Sequence, residues 1–187
     1  MTMEEIGNIA KSISQINDNN SFSDVVSKLG GYSAENLIYY FCNFWSCIPN
    51  EHLFEAYADC LTMCETHSNY DFFFKKDILT KVHQLNKHNT IDNAKLQSQL
   101  DSDERLTVYH GHCKPTMRGS NSWTLDKDIA MFFGKRNALF SKVSDFYVVT
   151  GKVALKSIIA FIDDREEQEV VVLQGNVKNQ KKEFFKA

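Results

Sequence analysis

The spacing of apolar residues changes once along this chain, near residue 104, and that change limits the possible folds more than any other feature. Before it, apolar residues recur every three to four positions, as in Ile6, Ile9, Ile13 and Ile16, which indicates amphipathic helices. After it, runs such as RLTVYHG and FYVVTGKVAL alternate or are rich in β-branched and aromatic residues, as strands are. The sequence predicts an α+β protein, with a helical N-terminal region over residues 1–104 and a mixed β-sheet core over residues 105–187.

Six helices are predicted in the first region, from apolar spacing and from residues that begin or end helices. They cover residues 3–17, Phe22 to Gly30-Gly31, a segment capped by Ser33, one beginning at Pro49-Asn50, one from Phe73 to Leu85, and residues 91–100 with Thr90 as the cap. The aromatic residues of the third helix are predicted to be core, with a cofactor-binding box as the alternative: Tyr39, Tyr40, Phe41, Phe44 and Trp45.

In the second region, further strands are predicted at SIIAFI and EVVVLQG, and Asp126 is predicted to cap a helix that carries Phe132 and Phe133. The tail NVKNQKKEFFKA is expected to be either a last strand or a basic extension.

The composition indicates a globular protein without a membrane span. Among the 187 residues no apolar run approaches about 18, the length that a transmembrane helix needs. The start, MTMEEIGNIAKSISQ, lacks the basic, apolar and cleavage segments of a signal peptide, so the protein is expected to be cytoplasmic.

The five cysteines are odd in number and lie within helical or strand patterns, so reduced thiols are expected. Cys60, Cys64 and His67 have the spacing of one helix face, which leaves a metal site as an alternative. A structural zinc site usually needs four ligands, and no fourth is evident, so no metal is predicted.

Charge is distributed unevenly around the net value of −3. Residues 1–104 hold 7 Lys/Arg and 15 Asp/Glu, whereas residues 105–187 hold 14 Lys/Arg and 9 Asp/Glu. The basic part is expected to meet a phosphate-bearing ligand, a nucleic acid, or the acidic first part of the same chain.

Three clusters in the second region carry residues capable of chemistry. Tyr109-His110-Gly111-His112 ends a strand, where glycine lets a ligand or another backbone approach closely. Ser122-Trp123-Thr124 places two hydroxyls just before a helix N-terminus, whose free amides attract anions. Glu166-Glu167-Gln168-Glu169 leads into an apolar strand, and strand alternation predicts that Glu167 and Glu169 point to the same face.

The order of these clusters resembles that of the mono-ADP-ribosyltransferases. That family carries an Arg or His at the end of its first core strand, then a Ser-x-Ser/Thr element, then a Glu/Gln-x-Glu pair opening a later strand. The matching stretches here are VYHG, SWT and EQEVVV, and the resemblance covers roughly residues 105–175. The resemblance is divided between two branches of the family. VYHG looks like the branch that pairs His with Tyr, whereas SWT and EQEVVV look like the branch that pairs Arg with Ser, and here His110 accompanies Ser122.

The resemblance implies a site that binds NAD as substrate. Glu169 would hold a ribose hydroxyl and stabilise the cation formed when nicotinamide leaves, Ser122 would orient Glu169, and His110 would position the ribose. Glu167 would orient or deprotonate the acceptor, with a preference for arginine. The NAD-contacting residues would be Tyr109, His110, Gly111, Ser122, Trp123, Thr124 and Phe133, with Trp123 or Tyr109 stacking on nicotinamide.

The function implied is transfer of ADP-ribose to a macromolecular acceptor, either protein arginine or RNA/DNA. Lys127, Lys135, Arg136 and Lys142, together with the lysines of the tail, could track phosphates, so a nucleic-acid acceptor stays an alternative. The family context implies a bacterial or phage toxin or effector, with a cognate antitoxin or a role in phage defence. The alternatives are a catalytically impaired NAD-binding or partner-binding module of the same fold, and a protein whose helical half is the working part.

Overall fold

The computed structural model describes residues 1–63, 70–91, 93–113, 121–163, 167–173 and 175–187. The predicted candidates Cys64, His67 and Glu166 lie outside these residues. The chain forms two compact units, Met1–Leu85 and Asn86–Ala187, which are called the helical unit and the sheet unit.

The helical unit is built from α-helices, and the first three begin at capping residues. The helices are α1 (Met3–Ile13), α2 (Phe22–Gly30), α3 (Ala34–Phe44), α4 (Asn50–Met63) and α5 (Lys76–Ile91), the last of which crosses the boundary between the units. Thr2 and Ser21 form capping boxes with Glu5 and Asp24, and the Ser33 hydroxyl accepts from the Asn36 amide as the predicted cap of α3.

Aromatic side chains form much of the core of the helical unit. The Phe41 ring stacks on the Phe73 ring at 5.2 Å between centroids. The prediction that the α3 aromatic residues are core is confirmed for Tyr40, Phe41 and Phe44. It is wrong for Tyr39, which is 45% exposed because it lies on the opposite side of the helix from the apolar stripe. Trp45 is half-buried and begins a short 3₁₀ turn, Trp45–Cys47, after α3 ends.

The sheet unit combines two further helices with six strands in the part of the chain that the structure describes. They are α6 (Ala94–Gln97), β1 (Arg105–His112), β2 (Ser122–Thr124), α7 (Lys127–Ser141), β3 (Asp145–Ala154), β4 (Ile158–Ile162), β5 (Glu169–Val172) and β6 (Lys178–Lys186). The strand order is β4-β5-β2-β1-β3-β6. The α+β class is therefore confirmed, and the tail is a strand.

Every strand pair that the structure describes is antiparallel, so the expectation of a mixed sheet is corrected. A parallel pair needs a crossover that returns the chain to the same end of the sheet. Helix α7 is such a crossover, because β2 and β3 run in the same direction, but β1 lies between them and pairs with each in the antiparallel direction.

Apolar side chains cover both faces of the sheet. On one face, Phe146 and Val148 of β3 pack with Ala130 and Ala138 of α7; this is called the helix face. On the other, called the far face, the cluster comprises Leu96, Leu106, Val108, Trp123, Leu125, Val149, Val153, Ile158, Val170, Val172 and Val177. Leu96 belongs to α6, so residues 86–104, which the sequence analysis grouped with the helical region, contribute to the sheet unit.

Helix α7 and strand β1 approach each other through two glycines. A Cβ built on Gly111 would lie 1.7 Å from the Ala130 carbonyl oxygen and 2.7 Å from the Gly134 amide nitrogen. A Cβ built on Gly134 would lie 2.6 Å from the Phe146 ring. Only glycine permits this approach, because it has no Cβ.

Among the described residues, no helix combines the length and the apolar composition needed to span a bilayer.

Candidate active site

Ser122 and Glu169 meet across two neighbouring strands. Thr124 lies opposite Glu169 and Ser122 lies opposite Val171, so Ser122 and Glu169 are diagonal neighbours on one face of the sheet. The Ser122 hydroxyl donates a hydrogen bond to Oε1 of Glu169, and both side chains are half-buried. A hydrogen bond to an ionised carboxylate is stronger than a neutral one, so this contact fixes the orientation of the Glu169 carboxylate.

The turn that precedes Glu169 is not extended. Strand β5 begins at Glu169, and Gln168 has a φ of 50°, in the left-handed region. The Thr124 hydroxyl donates to the Glu167 carbonyl oxygen at 2.6 Å, and the Leu125 amide donates to the Gln168 carbonyl oxygen at 3.2 Å. Strand alternation, on which the expected alignment of Glu167 with Glu169 is based, does not extend to Glu167, because the strand begins at Glu169 and the backbone at Gln168 is left-handed.

His110 lies on β1 opposite Val149, with its ring against two other rings. The imidazole is 5.7 Å from the Trp123 ring and 5.8 Å from the His112 ring, measured between centroids. Alternation through Gly111 is regular, so both imidazoles lie on the far face. Nε2 of His110 is enclosed and has no hydrogen-bond partner among the described residues.

The protonation state of His110 follows from its surroundings. Burial, aided by the neighbouring His112, lowers the pKa of His110 from 6.5 to about 4, although a hydrogen bond to the Ser122 backbone acts in the opposite direction. His110 is therefore neutral at pH 7. The hydrogen bond to Ser122 raises the pKa, so it favours the protonated ring. A ring N–H of His110 therefore donates to the Ser122 carbonyl oxygen. The remaining nitrogen, Nε2, is then a hydrogen-bond acceptor.

The three principal predicted residues form a chain of contacts rather than one cluster. The Ser122 hydroxyl contacts Glu169 directly, whereas His110 contacts Ser122 through its backbone. Alternation along β2 places the Ser122 side chain on the helix face and Trp123 on the far face, so the His110 ring and the Glu169 carboxylate approach Ser122 from opposite sides of the sheet. The expectation that His110 and Glu169 contact the same ribose does not agree with this placement.

The other predicted NAD-contacting residues differ in what surrounds them. Tyr109 packs at the edge of the helix-face cluster, opposite Thr124. Gly111 is approached by the backbone of α7 rather than open on that side. Alternation turns the Trp123 indole away from the Ser122 side chain and into the far-face core, where it is only 3% exposed. The ring face that was expected to stack on nicotinamide is therefore not accessible. Phe133 carries the Arg136 guanidinium 4.6 Å from its ring centre.

The helix N-terminus after SWT does not offer free amides as expected. Asp126 is the cap, as predicted, and its carboxylate accepts from the Asp128 amide at 2.7 Å and the Ile129 amide at 3.4 Å. These are the donors that an anion would need. An acidic cap therefore replaces the anion site.

Sequence reasoning missed two features of the site. One is the Thr124 hydroxyl, which holds the Glu167 carbonyl and also accepts from the Asp126 amide at 3.0 Å. The other is the row of rings that continues from His112 to Tyr147, with 5.1 Å between centroids. The first depends on side-chain geometry and the second on the register of β1 and β3, so no local pattern indicates either.

A metal site finds no support in the described residues. Across these ranges, no group of three or more His, Cys, Asp or Glu side chains is placed to hold a metal ion.

Fold and site together define an α+β protein in which a serine–glutamate pair spans two antiparallel strands, with a half-buried neutral histidine on the other side of the serine backbone. The chain matches no model of a known protein family, no curated protein and no solved structure.

Proposed function

We propose that this protein is an NAD-dependent mono-ADP-ribosyltransferase that modifies a macromolecular acceptor, either protein arginine or nucleic acid. The observation that carries the proposal is the hydrogen bond from the Ser122 hydroxyl to the Glu169 carboxylate. The order of VYHG, SWT and EQEVVV along the chain resembles that family, and the resemblance requires a serine that orients the second glutamate.

The helix-face side of the site fits a ribose hydroxyl. A carboxylate has about four acceptor positions, so Glu169 can accept from a sugar hydroxyl while Ser122 also donates to it. His110 acts from the far face on the Ser122 backbone, which makes it a positioning residue in this proposal rather than a ribose contact. A neutral imidazole also cannot grip a phosphate bidentately, as arginine does.

Bound NAD supplies a nicotinamide–ribose bond whose cleavage places positive charge on the ribose. The Glu169 carboxylate stabilises that charge, and its half-buried position strengthens the interaction relative to water. Ser122 and the β2–β5 pairing hold the carboxylate in place before reaction. Glu167, on the preceding turn, accepts the proton that the acceptor nucleophile loses as it bonds to the ribose.

The decisive experiment incubates the full chain with NAD labelled in the adenylate half and with cell extract. Label should appear in macromolecules, and Glu169→Gln should abolish both transfer and nicotinamide release. Glu35→Gln, an exposed glutamate in the first turn of α3, is the matched control and should leave both unchanged. Digestion with protease or ribonuclease then separates the two acceptor classes. Transfer that persists in Glu169→Gln would refute the proposal.

Two further variants test the assigned roles. Ser122→Ala should lower kcat for nicotinamide release about 10- to 100-fold with little change in KM, because it removes one charge-assisted hydrogen bond to the carboxylate. Ser122→Thr should restore part of the loss. Glu167→Gln should stop transfer while nicotinamide release continues. If Glu167→Gln leaves both activities unchanged, the acceptor role of Glu167 is wrong.

A second candidate function is an NAD-binding module without turnover. It is favoured by the neutral state of His110, since the serine-containing branch of the resembled family uses arginine at that position. Calorimetric binding of NAD, together with the absence of nicotinamide release and of transfer, would select it. The resemblance also implies a toxin or effector restrained by a cognate antitoxin, and that partner belongs to the same proposal.

A further inference from the structure

Strand β6 forms one edge of the sheet and is basic along its length. Its nine residues, KNQKKEFFK, are all exposed except Phe185, which is half-buried. They include four lysines and one glutamate, and that Glu183 pairs with Lys127 of α7 at 2.8 Å. The strand therefore presents positive charge to solvent, in a sheet unit that holds 16 Lys/Arg and 13 Asp/Glu.

An aromatic ring stands among these lysines. Phe184 is 72% exposed, and alternation places it on the far face of the sheet between Lys182 and Lys186. Its ring packs edge-on against Tyr147 at 4.9 Å, which holds the ring in position and leaves most of its surface exposed. The Lys182 ammonium lies 5.7 Å from the centre of the same Tyr147 ring.

The charges on β6 are divided between the two faces of the sheet. Glu183 alternates to the helix face, where its partner Lys127 lies, so the far face of the strand carries Lys182, Phe184 and Lys186 without an acidic residue of the same strand. Lys186 pairs with Asp145 at 2.6 Å, but its side chain is 84% exposed. An ion pair so exposed contributes little free energy, so a phosphate can compete for the ammonium.

Phe184 is the exposed end of a row of rings that crosses the far face as far as His110, the positioning residue of the proposed function. Tyr147 pairs with Phe184 on one side and with His112 on the other. The Tyr147 ring lies 5.1 Å from the His112 ring, which lies 5.8 Å from the His110 ring. Because adjacent strands are about 4.8 Å apart, a group bound on Phe184 is about 10 Å from β1.

Protection of the sheet edge explains only part of this surface. Lysines on an edge strand prevent pairing with other chains, so they need no ligand. An exposed phenylalanine on the same strand has the opposite effect, because it favours association. A supported ring between cations is instead the arrangement that binds single-stranded nucleic acids, in which bases stack on aromatic side chains and phosphates contact lysines.

We infer that the far-face side of β6 binds single-stranded nucleic acid, with one base stacked on Phe184 and the adjacent phosphates held by Lys182 and Lys186. The binding does not depend on the proposed transfer, because the Glu169 carboxylate lies on the helix face and this surface lies on the far face. If the proposed function holds, binding here favours single-stranded RNA or DNA over protein as the class of acceptor. Sequence preference is not expected, because every base has a face that can stack.

The test measures binding of fluorescent oligouridine and oligothymidine of about 12 nucleotides to the full chain without NAD, over a range of salt concentrations. Phe184→Ala should weaken binding roughly 5- to 150-fold, the range for one stacked base, without altering the salt dependence. Phe184→Trp should retain binding. Phe140→Ala removes a phenylalanine that is 78% exposed on α7 and is the matched control.

The lysines are tested through the salt dependence itself. Lys182→Gln and Lys186→Gln should each reduce the slope of log affinity against log salt by about 0.7, the value for one phosphate contact on a single strand. Lys156→Gln, on the exposed turn between β3 and β4, should not.

Two outcomes would overturn the inference: absence of oligonucleotide binding, and equal competition by duplex DNA or by polyglutamate. The first would show that the surface has no such ligand, and the second that it attracts any polyanion. Glu169→Gln should bind oligonucleotide normally, so failure of the transfer proposal and failure of this one are distinguishable.

Discussion

His110 illustrates how one half-buried side chain with an enclosed ring nitrogen adds pH dependence to the whole fold. The unfolded chain binds a proton at this residue near pH 6.5, whereas the folded protein binds it only near pH 4. The folded state therefore holds fewer protons between these values. The stabilisation from the neutral imidazole is complete above pH 6.5 and is lost as the pH falls towards 4.

We expect the free energy of unfolding to decrease by about 2 to 3 kcal/mol between pH 6.5 and pH 4 through this residue. His110→Phe, which keeps a ring against Trp123, should remove that decrease, whereas His83→Gln on α5 should not. Urea unfolding at several pH values measures it. The lowered carboxylate pKa values of Asp24, Asp101 and Asp145 act mainly below pH 3.8, outside this window. An unchanged pH profile in His110→Phe would contradict the assignment.

At the scale of single residues, the sequence predicted which side chains could form the site, but it did not predict their backbone conformation or burial. The Ser122–Glu169 contact agrees with the role expected for the serine, because both residues begin short strands that pair. The left-handed backbone at Gln168 was not foreseeable, because the run EQEVVV has no glycine or asparagine and favours extended structure. The burial of Trp123 follows from alternation along β2, but only once β2 is known to be a strand.

Among the elements, β1 and α7 pack so closely that the residue at position 111 must be glycine. Gly111 faces the Ala130 carbonyl, and this contact involves backbone on both sides, which no side-chain rotation can relieve. The helix follows β2 directly and carries Phe133, so its distance from the sheet also affects the surroundings of the candidate site.

Gly111→Ala should destabilise the protein by about 3 kcal/mol, the upper end for overpacking, because α7 must move away from β1. Gly7→Ala is the matched control with the opposite sign. A Cβ at Gly7 would have no neighbouring atom within 4 Å, so the substitution should stabilise α1 by about 1 kcal/mol through helix propensity. Urea unfolding of both variants measures the difference, and equal midpoints would contradict the contact between β1 and α7.

Element boundaries agree with local signals where capping residues are present. The starts of α2, α3 and α7 match Ser21, Ser33 and Asp126. The prediction of Thr90 as a cap is wrong, since α5 continues to Ile91 and the cap of α6 is Asn93. The antiparallel sheet could not be derived locally, because pairing between distant strands depends on the whole topology.

At the scale of the whole molecule, the charges and the tryptophans are divided between the two units. The helical unit holds 5 Lys/Arg and 11 Asp/Glu, and the basic excess lies in the sheet unit. Trp45 belongs to the helical unit and Trp123 to the sheet unit, so each unit has its own fluorescent reporter. Helix α5 is continuous across the boundary between the units.

We expect Trp45→Phe and Trp123→Phe each to unfold in urea with coincident fluorescence and far-UV circular dichroism transitions, because α5 couples the units. Leu85→Pro, introduced into each background, should separate the transitions by breaking α5 at the boundary, at a cost of about 3 kcal/mol. Leu85→Ala is the control and should keep them coincident. Separate transitions in the parent variants would show that α5 does not couple the units.

The left-handed turn at Gln168 also bears on how this protein can diverge among its relatives. Glycine, asparagine and aspartate enter that backbone region easily, whereas β-branched residues do so at considerable cost. Homologues that keep both glutamates should therefore draw the intervening residue from a small set. A lineage in which valine or isoleucine becomes established there will have lost the left-handed backbone at this position.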